Sequence, residues 1–378
     1  MREIGVAVIG TRFMGRAHAN AWRQVRAFFD PPLVPHLVMA CGRDEGNLRK
    51  FANGFGFEHA TTDWREAIRR DEVGLVDICA SNDVHAEIAT LAAEAGKAVF
   101  CEKPLARSLT EAEEMLQAVE AAGVPHMVCF NYRFFPAVRL AKELISNGAL
   151  GEIRQFHALY LQDWGVDPKL PLTWRMKKEL AGSGALGDTA VHIVDLARFL
   201  VGEIEEVVGM LTTFIKKRPL PDGSGLGEVT VDDSAAFLAR FASGATGVFE
   251  TTRVATGRKN FMHLEVNGTR GSIRWNAEDP NVLWFYSLED PPKVRGFRRI
   301  VATEAEHPYA GNWWPPGHIL GYEHSFVHAV YELLTALAEG RAPEPSFRDG
   351  VAAQAVLETV ARSTAERRWL PVATQGKG

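Results

Sequence analysis

Long apolar runs, an excess of one charge and cysteine are all scarce in this sequence, and each scarcity removes a class of function. No apolar run reaches the roughly 18 to 20 residues that a membrane-spanning helix needs. The opening MREIGVAVIG passes straight into a strand-like pattern, without the charged, apolar and small-residue regions of a secretory leader. A cytoplasmic protein without membrane association is the expectation. Lys and Arg total 42 against 47 Asp and Glu, a formal net charge of −5, so there is no basic field for a nucleic acid and a small-molecule partner is favoured. The four cysteines, Cys41, Cys79, Cys101 and Cys129, lie far apart, each in or beside a short apolar stretch. That distribution suits buried thiols better than a disulfide frame or a metal site. His318, His324 and His328 lack the accompanying cysteine or carboxylate pattern of a closed metal centre, and no metal is expected. Internal repeats and low-complexity segments are also missing.

What remains is a chain of 378 residues, 46% hydrophobic, which exceeds the usual size of one core and predicts two domains. From Ile4 to about Phe130 short apolar runs alternate with amphipathic stretches: IGVAVIG, LVMACG, LVDICAS, AVFCEKP and HMVCFN. Such alternation predicts a doubly wound parallel sheet with crossover helices. After Asn131 the texture changes to a helix over Pro136 to Asn147, the strand IRQFHALYLQDW and a helix near Gly187 to Val201. A succession of alternating strands follows (VVGMLTTFI, SAAFLARFA, ATGVFETTRV, FMHLEVNG, GSIRWN, VLWFYSL), and helices over Glu323 to Glu339 and Asp349 to Arg367 close the chain. The predicted fold class is α/β: a nucleotide-binding domain over residues 1–130, then an α/β domain with a large, open, mostly antiparallel sheet over residues 131–378.

The first strand runs into Gly10-Thr11-Arg12-Phe13-Met14-Gly15 and then a helical stretch, the strand–turn–helix setting of a Rossmann dinucleotide fingerprint. Gly10 permits the sharp turn, Gly15 permits close packing of helix on sheet, and the helix N-terminus offers N–H groups to a pyrophosphate. Arg12 stands where the middle glycine is usual, so it either narrows the approach to the pyrophosphate or grips it. The second strand ends in Gly42-Arg43, without the acidic residue that commonly binds the adenosine ribose. Arg43, helped by Arg12, could pair with a 2′-phosphate; alternatively Arg43 is a solvated loop residue and Asp44 supplies the acid. The expected cofactor is NAD or NADP, with a slight lean to NADP. Further along the same sheet edge stand Ser81, Asn82, Asp83 and His85, then Glu102 and Lys103, at the carboxyl ends of strands where ligands of such sheets bind.

The series GxxxxG, SNDVHAEIA, CEKPLA, NYR at Asn131 to Arg133 and GSGALGDTAVHIVDLARFL closely resembles the Gfo/Idh/MocA family of oxidoreductases, from the first strand to the last helices. The resemblance implies a Rossmann domain followed by an α/β domain whose open sheet serves substrate binding and assembly into a homo-oligomer, a dimer or tetramer. It also implies that Lys103, with Asp188 and His192, forms the catalytic group. YLQDW, LTWR and GSGALGD are most similar to members acting on inositols, rare sugars and anhydrosugars. Arg12 and Gly42 depart from the family pattern.

Asp188 and His192 stand four residues apart on a predicted helix, so they project from one face. Oxidising an alcohol needs a base for the hydroxyl proton as hydride leaves the same carbon, and imidazole titrates close enough to neutrality to serve. His192 is the expected acceptor, Asp188 binds a neighbouring hydroxyl, and Lys103 stabilises the negative charge developing on the reacting oxygen. A polyol needs hydrogen-bonding side chains set in an apolar wall; Tyr132, Arg133, Asp163, Trp174 and Arg175 fit, with Trp164 either a sugar platform or core. His318, Tyr322 and His324 either line the pocket or pack beneath it. The competing functions are a redox-neutral NAD-dependent glycosidase or epimerase and a non-catalytic NADP sensor.

Overall fold

The computed structural model describes residues 2–373, and the chain divides into two compact units. Of the described residues, the first contains 2–134 together with Gly321–Val351, and the second contains Phe135–Leu320 and 352–373.

In the first unit, β1 (Arg2–Ile9), β2 (Leu33–Cys41), β3 (His59–Thr61), β4 (Val73–Ile78), β5 (Ala98–Cys101) and β6 (His126–Val128) form a six-stranded parallel sheet in the order β3-β2-β1-β4-β5-β6. The strands are connected through α1 (Phe13–Phe28), α2 (Glu45–Phe55), α3 (Trp64–Arg69), α4 (His85–Glu94) and α5 (Leu109–Ala121). Strands covered on both faces are apolar throughout rather than alternating: Val6, Ala7, Val8, Val76, Ile78, Val99 and Phe100 are all essentially inaccessible. Strand order reverses between β1 and β4, the crevice where doubly wound sheets bind their ligands.

The later segment of this unit departs from the predicted division at residue 130. Gly321–Val351, expected in the second domain, fall in this unit and pack against α1 and the end of β6. The Phe29 ring lies 5.7 Å from His328 and 4.7 Å from Tyr331, His328 Nδ1 bonds the Phe134 carbonyl at 2.8 Å, and the Val128 amide donates to Pro345 O. Burial of those apolar and aromatic faces sets the grouping, and linear periodicity carries no record of it.

The second unit opens with α6 (Pro136–Ser146) and β7 (Ile153–Leu161), followed by a short α7 (Lys178–Ala181). A π-turn over Leu186–Ala190 then leads into α8 (Val191–Leu200). β8 (Ile204–Thr212), β11 (Ser234–Phe241), β12 (Thr246–Thr252), β13 (Phe261–Gly268), β14 (Gly271–Asn276), β15 (Val282–Ser287) and β16 (Arg298–Val301) complete most of its sheet, while β9 (Lys217–Pro219) and β10 (Leu226–Glu228) pair as a separate small hairpin. α9 (Tyr322–Glu339) belongs to the first unit; α10 (Phe347–Glu366) and β17 (Leu370–Pro371) end the described chain. The large sheet has nine strands in the order β16-β15-β14-β13-β7-β12-β11-β8-β17, antiparallel except where β12 runs parallel to β7. Alternation is clear in β11 and β12. One face buries Phe156, Ala158, Phe237, Phe249 and Leu264, with α6 and α8 against the sheet. The opposite face carries Leu238 and Val248, paired across neighbouring strands and both exposed.

Candidate active site

The dinucleotide turn is built as the sequence predicts. Gly10 has φ +119°, and a Cβ at Gly15 would sit 1.8 Å from the Gly10 carbonyl oxygen, so only glycine lets α1 start this close to the strand. No side chain caps the N-terminus of α1, which leaves its first-turn N–H groups to an incoming pyrophosphate. Phe13 is 65% exposed, Met14 is half-buried, and Phe13 stacks on Tyr322 with ring centroids 6.0 Å apart. Arg12 does not fill the turn. Its side chain is 81% exposed and lies 3.8 Å from Asp44, so the departure from glycine leaves the approach open. These residues fit a dinucleotide.

The end of β2 shows why residue 42 is glycine. A Cβ there would lie 2.7 Å from Thr11 Cγ2 and 2.9 Å from Thr11 Oγ1, and that hydroxyl is held by Asn47 Nδ2 at 2.6 Å. Thr11 and Asn47 thus occupy the space of a side chain at 42. Arg43 and Asp44 are exposed, and Asp44 also caps α2 through the Asn47 amide at 2.9 Å.

Sequence reasoning missed a buried hydrogen-bonded cluster of this unit. His18 on α1 is fully buried, with Nδ1 2.9 and 3.0 Å from the two Asp77 oxygens and Nε2 2.9 Å from Glu102 Oε1. Asp77, at the end of β4, also accepts from Trp22 Nε1 at 2.7 Å and from Cys79 Sγ at 3.4 Å, while Glu102 Oε2 accepts the Lys103 amide at 3.1 Å. Burial by itself lowers an imidazole's pKa, but the Asp77 carboxylate, with smaller help from Cys79 and Cys129, more than reverses this and holds His18 well above its ordinary value. His18, Asp77 and Cys79, like His18, Glu102 and Cys129, are close enough to suggest a metal. Both ring nitrogens already meet carboxylate oxygens at hydrogen-bonding distance, which leaves no lone pair for an ion. A histidine inside the apolar face of α1 carries no local signal of partners 59 and 84 residues away.

Other expected cofactor residues fall into two groups. Ser81 and Asn82 are half-buried around the short turn that starts α4, and Lys103 is half-buried after Glu102. His85 is wholly buried: its ring nitrogens face the carbonyls of Ala80, Pro104 and Leu105 at 3.2 to 3.3 Å, and desolvation lowers its pKa against those bonds. It thereby ties together the loops after β4 and β5. Asn131 is likewise buried, donating to Ser325 Oγ at 3.0 Å. Tyr132 is buried near the Tyr322 ring, and Arg133 is buried with Asp349 at 3.1 Å, all within the first unit. Tyr322 packs among Phe13, Tyr132 and Phe326. His324 Nδ1 accepts the Gly321 amide and so caps α9, while exposed His318 bonds Pro315 O.

In the second unit the helix predicted through Asp188 begins as a π-turn. The Thr189 hydroxyl donates at 2.8 Å to the Ala185 carbonyl, the acceptor that a regular α-turn gives to the Thr189 amide. Such widened turns concentrate at functional sites. The preceding GSGALG loop is fixed by Asp232, whose two oxygens accept the amides of Gly184 and Leu186, each at 2.8 Å. Burial pushes Asp232 up, and those two amides pull it back. Asp188 is half-buried and His192 is 5% exposed, with the Tyr160 ring 5.9 Å from the imidazole.

Arg253, immediately after β12, is the residue that sequence reasoning did not find here. Its Nη2 donates to Asp188 Oδ2 at 2.8 Å and its Nη1 to the Arg175 carbonyl at 3.2 Å, and its guanidinium lies 5.2 Å from the centre of the Trp164 ring. Trp164 is exposed and Trp174 half-buried, with the Arg175 guanidinium 4.4 Å from the Trp174 ring. Asp163 is held by two donors. Its Oδ2 accepts Lys259 Nζ at 2.7 Å and the Gly257 amide at 3.1 Å, which hold its carboxyl below the usual range. A half-exposed carboxylate oriented by a buried arginine, one helical turn before an imidazole, can bind and deprotonate a hydroxyl.

Known proteins match both units. Residues 4–130 match the oxidoreductase family with an NAD-binding Rossmann fold, and residues 138–274 match the GFO/IDH/MocA C-terminal domain. The chain is 42% identical to a levoglucosan dehydrogenase from Pseudarthrobacter phenanthrenivorans, across 98% of this chain and 99% of that one. Among solved structures, an oxidoreductase domain protein from Kribbella flavida is 52% identical with a TM-score of 0.96, covering 99% of this chain and 100% of that one. A levoglucosan dehydrogenase in complex with NADH and levoglucosan is 42% identical with a TM-score of 0.96, covering 98% of this chain and 100% of that one. The match over both units and nearly the full length of these relatives places the chain in the Gfo/Idh/MocA family of NAD-binding oxidoreductases.

Proposed function

We propose that this enzyme is a dehydrogenase of an anhydrosugar of the levoglucosan type, or of a closely related cyclic polyol, oxidising one ring hydroxyl to a ketone. The observation that carries the reading is the arrangement in the second unit, where Arg253 orients the Asp188 carboxylate one turn before His192. His192 takes the hydroxyl proton, and Asp188 accepts a hydrogen bond from the neighbouring hydroxyl, a role that its exposure permits and its pairing with Arg253 aims. Lys103 donates to the reacting oxygen and stabilises the charge that develops there. When bound, the nicotinamide supplies the hydride acceptor. Trp164, Trp174 and Arg175 offer the mixed aromatic and polar wall that a cyclic polyol requires.

NAD is the proposed cofactor, in place of the slight lean to NADP. Asp44 stands beside Arg12 and balances the positive charge that would have favoured a 2′-phosphate, and the levoglucosan dehydrogenase relatives were solved with NADH. Net oxidation is preferred to redox-neutral glycosidase or epimerase chemistry, because the relative sharing 42% of its residues is a dehydrogenase. We also assign a homo-oligomer to the exposed sheet face around Leu238 and Val248, to be checked by light scattering of wild type against Leu238→Lys.

The function is tested by following reduced nicotinamide by its absorbance while anhydrosugars, aldoses and cyclitols are offered with NAD or NADP. Steady accumulation with an anhydrosugar and NAD is expected, with a loss of about 100-fold or more in His192→Ala at unchanged cofactor binding. Product formation without accumulating reduced cofactor would refute net oxidation.

A further inference from the structure

We infer that His18 is a positioning residue for the proposed reaction: a doubly hydrogen-bonded imidazolium that fixes Glu102 and, through it, the backbone from which Lys103 projects. The inference rests on the reading of Lys103 given above. It starts from a chain of contacts inside the first unit. Trp22 Nε1 and His18 Nδ1 donate to Asp77, His18 Nε2 donates to Glu102 Oε1, and Glu102 Oε2 accepts the Lys103 amide. In the proposed arrangement both carboxyl groups accept, so the imidazole held 2.9 Å from each uses both nitrogens as donors and carries a positive charge. Phe100 and Phe326 flank the ring at 5.0 and 5.3 Å, closing it from water.

A buried ion triad is a poor way to gain stability, because desolvation of each charge offsets much of the attraction. Its geometric consequence is larger. Glu102 is 3% exposed and follows β5 directly, and the peptide that it fixes is that of Lys103. His18 sits within the same helix whose first turn adjoins Gly10 to Gly15. The helix that receives the dinucleotide and the loop that carries Lys103 are thereby joined by one ring, so a displacement of that ring moves Lys103 while leaving the glycine turn intact. Misplacement of a reacting group by about 1 Å costs on the order of 100-fold in rate.

Two amide substitutions separate the two halves of the contact. In His18→Gln the amide nitrogen takes the place of Nε2 and keeps a donor to Glu102. In His18→Asn it takes the place of Nδ1, keeping the donor to Asp77 and losing the one to Glu102. Steady-state rates, NADH affinity by fluorescence and melting temperature are measured for both full-length variants and for Lys103→Met. The expected result is that His18→Asn loses on the order of 10- to 100-fold in kcat, with NADH affinity within about threefold of wild type, whereas His18→Gln loses only about threefold. Equal kcat in the two variants, or losses that follow melting temperature and NADH affinity together, would overturn the inference. Lys103→Met distinguishes the underlying reading: wild-type turnover there refutes the role of Lys103, while a slow Lys103→Met beside equal His18 variants refutes only the role of His18. Nitrogen-15 NMR of wild type gives a measurement independent of any variant's folding. Two protonated nitrogens on one buried histidine at neutral pH support the imidazolium, and a single one refutes it.

Discussion

Removing Arg253 tests the second unit's site most sharply, because one buried side chain holds three partners there. Arg253→Met keeps the aliphatic stem and deletes the guanidinium. Its side chain is 4% exposed and Asp188 is 28% exposed, so the stranded carboxylate retains some water and the share due to the ion pair alone falls below the roughly 3 to 5 kcal/mol typical of breaking a fully buried pair. About 2 kcal/mol is assigned to the pair, about 1 to the bond at the Arg175 carbonyl and about 0.5 to the Trp164 contact. Arg253→Met should therefore lower unfolding stability by about 3 to 4 kcal/mol, read from urea denaturation. It should also lower kcat by about 10- to 100-fold, because Asp188 is no longer aimed. The decisive assay is a double-mutant cycle with Asp188→Asn. With the carboxylate gone, Arg253→Met should cost little further rate, and the stability coupling should be about 1.5 to 3 kcal/mol. Additivity of the two substitutions within about 0.5 kcal/mol in stability, together with multiplicative rate losses, would show that Arg253 does not act through Asp188.

Two further outcomes follow from other contacts. Asp232→Ala leaves the Gly184 and Leu186 amides without their carboxylate acceptor; it should cost about 3 to 5 kcal/mol in denaturant unfolding, with Asp232→Asn recovering roughly half because one acceptor oxygen remains. His126 is lowered to about 4, by burial first and by the charge of Arg348 second, so the folded state resists the proton that the unfolded chain accepts near its ordinary 6.5. Stability from this group is complete above that ordinary value and is lost as pH falls toward 4, and His126→Gln should flatten the acid side of the stability profile. An unchanged slope between those two pH values in the variant would contradict the assignment.

The sequence by itself determined the local elements and the chemistry they carry. Apolar runs without alternation announced the parallel strands, because both faces of each are covered, and period-two alternation announced the large antiparallel sheet. Gly10 and Gly15 were legible for a similar reason: a tight turn and a close helix approach leave no room for a side chain, and that demand is written in the residue type. Lys103, Asp188 and His192 stood out in the sequence by motif and spacing, and the catalytic roles proposed for them start from that reading. Only tertiary structure decided which polar groups are spent on holding the framework. The fold places Lys259 and the Gly257 amide on Asp163 and Asp349 on Arg133. His18 and Arg253 looked ordinary until their carboxylates arrived from distant segments. Local propensity reflects neighbours within a few residues of each position, whereas hydrogen-bond satisfaction in a closed interior is settled by whatever the fold brings alongside, and in this chain those partners stand dozens of residues apart.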